Sequence, residues 1–181
     1  MSEAYIYFEA PINPVTTEML LRNVIEQIQK DVATIYLLIS SPGGHVSSAV
    51  TAFNALSSLP LHLITHNMGI VDSAANVIFL AGAKRYALPN SRFMFHGLAA
   101  DLNGTFDRNA LKHRLDSLES DELLMTGIIE KRTGIPKQDL DNYFRTSRFL
   151  SADIAQQKGL VHDVRDALIP AGAMIIPIIS R

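Results

Sequence analysis

The sequence predicts an α/β layered fold built on a mainly parallel sheet. Three observations carry that expectation. Strand and helix signals alternate along the chain. The stretch "ATIYLLIS", residues 33–40, is a near-continuous apolar run, the pattern of a strand covered on both faces. A long helical pattern, residues 107–133, comes after the strand-rich part.

The elements follow in order. "AYIYFEA" (4–10) is rich in aromatic and β-branched residues and reads as the first strand. A helix follows over 13–31. Asn13 or a following Thr caps it, Pro14 suits its first turn, and Leu20, Val24 and Ile28 recur on one face. After the strand at 33–40, "SPGG" (41–44) breaks the chain, and Val46, Val50, Phe53 and Leu56 mark a second helix. "LHLIT" (61–65) is a strand and "NMG" (67–69) reads as a turn. Residues 73–81 form a buried helix ended by Gly82. "KRYAL" (84–88) and "RFMFH" (92–96) are strands separated by the turn "PN". In the long helix Leu111, Leu115, Leu118, Met125 and Ile129 form one stripe, and Gly134 with Pro136 stops it. At about 1.5 Å per residue this helix spans roughly 40 Å, so it either projects as an arm toward other subunits or drapes over the surface. A short helix (139–145), "RFL" (148–150), a helix (151–157) and "LVHDV" (160–164) complete the pattern.

The 181 residues fit one domain, 1–181, with 48% hydrophobic and 19% charged residues. A net charge of −2 and the lack of a basic run give no footprint for nucleic acid. The absence of cysteine excludes disulfides, thiolate metal sites and a cysteine nucleophile. The start, "MSEAYIYFEAP", has neither a basic n-region nor an apolar h-region. The apolar end, "ALIPAGAMIIPII", is too short to span a bilayer and is interrupted by two prolines. A soluble, cytoplasmic chain without a membrane partner is expected. The six histidines show no HExxH pattern, and His62 and His66 fall in a strand and turn, so no metal site is expected. No Walker-type phosphate loop appears, and no cofactor is expected.

Three features bear on chemistry. "SPGG" joins a buried strand to a helix, where glycines let backbone N–H groups approach an oxyanion. The plain alternative is an ordinary strand-to-helix turn. Ser73 begins an apolar helix, and the N–H of Ala74 is a possible oxyanion donor. Alternatively, Asp72 or Ser73 is only an N-cap, a position that both residue types favour. His96 ends a strand on the face opposite Phe93 and Phe95, at the strand end where α/β folds bind ligands; the alternative is a structural histidine.

In order along the chain, "IYLLISSPGGHVSSAV", "MGIVDSAANVIFLAGAKRYALPNSRFMFHG" and "SRFLSADIAQQKGLV" resemble the proteolytic subunit of the Clp protease, the ClpP family. The resemblance runs from "IYFEAPI" to "GLVHDV". It implies the ClpP/crotonase-like layered β-α-β superhelix with a protruding handle helix at about 107–133. It also implies a serine endopeptidase acting on peptides or unfolded proteins inside a self-assembled ring, single or stacked. Ser73 matches the nucleophile, His96 the general base, and Gly44 and Ala74 the two oxyanion donors.

The sequence departs from the family in several places. Ser147 stands where the family carries the acid that orients the histidine; Asp141, on the preceding helix, is the other candidate. Val71-Asp72 replaces a pair of small residues, and Asp72 either perturbs the site electrostatically or caps. The chain starts at the first strand, without the family's N-terminal gating segment, so coupling to an ATP-driven unfoldase is not expected. "GLAADLNGTF" (97–106) lacks the glycine-rich pattern, which implies different substrate binding. Besides the peptidase, two readings stand: an inactive Clp-like scaffold or regulatory subunit, and a crotonase-type acyl-CoA enzyme.

Overall fold

The structure is a computed structural model describing residues 2–100 and 102–180. Met1 and Arg181, the ends of the expected domain, and Asp101, within the 97–106 stretch, lie outside the described residues. The elements are β1 (Glu3–Glu9), α1 (Pro14–Ile28), β2 (Thr34–Ser41), α2 (Val46–Ser58), β3 (His62–Asp72), α3 (Ala75–Phe79) and β4 (Lys84–Ala87). They continue with β5 (Arg92–Phe95), α4 (Arg108–Thr133), α5 (Lys137–Thr146), β6 (Arg148–Ser151), α6 (Ala152–Gln157), β7 (Asp163–Val164) and β8 (Ile175–Ile179). One sheet runs β6-β5-β3-β2-β1-β8, with β4 pairing to β3 and β7. Its pairings are parallel except β5–β6, so the expected α/β class is the observed one. Among the described residues no helix is long and apolar enough to cross a membrane.

Local chemistry accounts for the helix starts. Asn13 caps α1 in a box with Thr16, and Pro14 takes the first turn, where its missing N–H is no loss. Asp107 accepts the Ala110 N–H at 2.8 Å to start α4, and Gly134, at φ 79°, ends it.

Three expectations change. The "NMG" signal is not a turn: β3 runs through it. Ile39 faces Asn67 while Ser41 faces Val71, so β3 bulges here, and Asn67 Oδ1 accepts the Gly69 N–H at 2.9 Å. After the bulge β3 changes neighbours, pairing with β4 through Ile64–Asn67 and with β5 through Ile70–Asp72. The apolar chain end supplies an unexpected parallel strand, β8, on β1. Ser180 donates to Glu9 O, so by alternation residue 177 faces its N–H side outward, where proline loses no ladder bond. Finally, the long apolar stripe splits. Met125 and Ile129 are buried, whereas Leu111 and Leu115 are 46% and 55% exposed. Only the C-terminal half of α4 packs on the body.

That half is stapled by two neighbouring arginines. Arg85 donates to the carbonyls of Leu160, Gly82, Arg132 and Gly159, and Arg132 donates to those of Leu80 and Gly82. Burial, with Arg132 alongside, lowers the Arg85 pKa to about 10, so it stays charged at neutral pH. Arg85→Ala strips charged donors from buried carbonyls. It is expected to destabilise by about 3 kcal/mol, read as a lower urea midpoint.

His66 is also structural. It is buried, its Nε2 donates to Arg165 O at 3.1 Å, and burial lowers its pKa.

Candidate active site

The site grows from the junction of β3 and α3. Ser73 follows the last residue of β3 and holds φ 54°, a left-handed conformation that a residue with a Cβ adopts only when its surroundings enforce it. Those surroundings are visible. The Ser73 N–H donates to Met94 O at 2.8 Å, and its carbonyl accepts from Asn76 N at 3.1 Å and Asn76 Nδ2 at 2.9 Å. Asn76 Nδ2 also reaches Met94 O at 2.9 Å. The sharp turn is thus clamped to β5 from two sides.

Neither Asp72 nor Ser73 caps α3; the N-cap is Ala74, without a side-chain bond. Asp72 still belongs to β3 and turns toward β5, where its Oδ2 meets Arg92 at 3.1 Å. The Arg92 guanidinium also sits 5.0 Å from the Phe149 ring centroid. Asp72 is therefore countered by a cation beside the turn. With only 5 residues, α3 also has a small summed dipole. Individual N–H groups matter more here than the helix.

The "SPGG" loop supplies the second wall. Buried Ser41 donates to Ala10 O at 2.7 Å and accepts the Gly43 N–H at 3.2 Å. Ile12 straps the next residues, its N–H to Gly43 O and its carbonyl from His45 N, both at 2.8 Å. Gly43 lies flat on the Ser73 turn: a Cβ there would stand 2.7 Å from Ser73 Cβ and 3.0 Å from Ala74 N. Gly44, at φ 145°, presses on Ile12, whose carbonyl oxygen would lie 2.1 Å from an added Cβ. Among the described residues neither the Gly44 N–H nor the Ala74 N–H has a protein acceptor. Two uncommitted donors beside a hydroxyl are what a developing oxyanion requires.

His96 follows β5, half-buried, and lines the same 470 Å³ cleft as Gly44 and Ser73. Among the described residues no hydrogen bond joins Ser73 to His96. Such bonds are often loose without substrate and tighten when it binds. The β5–β6 ladder ends at Phe95 opposite Arg148, one residue short of His96 and Ser147, and the exposed Ser147 does not line the cleft that holds Ser73 and His96. Ser147 itself holds φ 57° between α5 and β6. Phe95 packs against Tyr143 and Phe144, which anchor the end of α5 beside this strand.

Asp141 is not brought to this cleft. It lines a separate one with Glu119, Thr126 and Lys137. A larger cleft, of 720 Å³ between α1 and α2, carries no histidine in its lining.

Sequence reasoning missed Asn76, Arg92, Leu118 and Asp121. Asn76 left a signal, a lone polar side chain three residues after Ser73 in an apolar run. Leu118 and Asp121 line the Ser73 cleft from α4, and only the tertiary fold brings them there.

A family model described as Clp protease matches residues 1–167. A solved structure of a variant of ClpP1 from Listeria monocytogenes is similar in fold, with a TM-score of 0.81. That match is 21% identical and covers 90% of this chain and 91% of that one.

Proposed function

The chain belongs to the Clp protease family, and from that premise we propose that it is a serine endopeptidase whose nucleophile is Ser73. The observation that carries the reading is convergence at one cleft. Ser73 on its clamped turn, His96 and Gly44 line it, and among the described residues the Gly44 N–H and that of Ala74, the residue after Ser73, have no protein acceptor.

The chemistry runs as follows. His96 takes the Ser73 hydroxyl proton as Oγ attacks the peptide carbonyl carbon. The Gly44 and Ala74 N–H groups receive the oxyanion. The C–N bond breaks as His96 returns the proton to the leaving amine, and water repeats the cycle to release the acyl group. The fixed backbone donors need no reorganisation as charge develops. The exposed Leu111 and Leu115 of α4 favour self-assembly, with α4 as the contact arm between copies.

A second reading, an inactive scaffold subunit, is favoured by one observation: Ser147, at the position where the family carries its acid, has no charge for an imidazolium, and neither it nor Asp141 lines the Ser73 cleft. Peptide hydrolysis by the purified chain separates the two. Turnover of an unstructured fluorogenic peptide supports the peptidase, and a folded, assembled chain that cleaves none supports the scaffold. Ser147→Asp sharpens the comparison. It places a carboxylate at the family's acid position and is expected to raise peptide turnover about tenfold or more, because such an acid holds the tautomer and stabilises the imidazolium. An unchanged rate would mean that another group already orients the ring.

A further inference from the structure

We propose that Asp121 selects substrate charge, drawing a lysine or arginine side chain next to the scissile bond; this inference rests on the serine-peptidase reading. Asp121 comes from α4 and lines the cleft that holds Ser73 and His96. Pro42, Val46, Leu98 and Leu118 give the cleft an apolar part, and Ser47 lines it as well. It is the one carboxylate in that lining, and among the described residues it makes no ion pair and no side-chain hydrogen bond.

Among the described residues the charged and titratable surroundings are few. His45 and His96 share the cleft, and His96 must be neutral to act as a base. Arg114, two turns earlier on α4, shares with Asp121 an adjoining 320 Å³ cleft, yet no ion pair joins them. A half-buried carboxylate without a counter-ion, set among apolar side chains, favours an incoming cation. The apolar walls strengthen that attraction and accommodate the methylenes of a long basic side chain. An acidic substrate side chain in the same place meets like charge and is rejected.

The test uses matched fluorogenic peptides that carry Lys, Leu or Glu at positions flanking the cleavage site. The native chain is expected to prefer Lys over Leu by about tenfold in kcat/KM, and Glu is expected to be worst. Asp121→Asn should collapse the Lys preference, mainly through KM, and Asp121→Glu should retain it. Equal kcat/KM for Lys and Leu peptides in the native chain overturns the proposal. So does an Asp121→Asn variant that slows both equally, which marks a structural role.

Binding of the same peptides to Ser73→Ala, followed by fluorescence anisotropy, separates this inference from the peptidase reading. Lys-selective binding that Asp121→Asn abolishes upholds the charge selection even if no peptide is cleaved. Binding indifferent to charge overturns it even if cleavage is efficient.

Discussion

Ser73→Ala is expected to bring peptide cleavage down to background, a loss of roughly four orders of magnitude or more. The fold should survive. Among the described residues Ser73 Oγ makes no hydrogen bond, and the turn is held by backbone atoms and Asn76. Alanine keeps the Cβ that already sits at φ 54°, so the substitution adds no backbone strain. Circular dichroism and the urea midpoint should therefore match the native chain while turnover vanishes. Persistent cleavage in a folded Ser73→Ala chain would remove Ser73 from the mechanism.

The second large effect is expected at Gly44. Its φ of 145° is close to glycine-only backbone, and an added Cβ would lie 2.1 Å from Ile12 O and 3.0 Å from Ile12 C and N. These are backbone atoms of a strapped segment and cannot rotate away. Gly44→Ala must displace the loop, which loosens the Ile12 bonds to Gly43 and His45 and moves the Gly44 N–H away from the oxyanion position. Turnover should fall about 10²–10³-fold from the lost donor. Stability should fall by about 2–4 kcal/mol from the strain and loosened bonds. Parallel activity and urea measurements check both parts. Full activity in Gly44→Ala would exclude this N–H as a donor.

Much of the architecture was legible because it is written locally. The apolar run of β2, the capping box of Asn13 and Thr16, and the Gly134 stop of α4 each follow from a few adjacent residues. Ser73, His96 and the "SPGG" loop were legible for the same reason, since each sits at a recognisable strand end or break. What escaped depends on partners distant in sequence. Asn67-Met68-Gly69 carries turn residues, but pairing on both edges of β3 converts them into a bulge. The proline-interrupted chain end becomes β8 because β1 offers it an edge. Leu111 and Leu115 share the helical period of Met125 and Ile129, and period alone does not reveal where the body under α4 ends. Asp72 looked like a cap until Arg92, brought alongside by β5, offered a charge. What stands near the His96 ring is the least local feature, since it depends on how α5 and β6 meet β5.

The most direct test of the central claim is covalent labelling with a fluorophosphonate probe, with the adduct located by mass spectrometry. A single adduct on Ser73, lost in His96→Ala, is the predicted result. It would mean that the clamped turn, the histidine and the two N–H groups act together on an incoming electrophile. A folded, assembled chain that takes no adduct at Ser73 would contradict the peptidase reading and leave a Clp-like scaffold in its place.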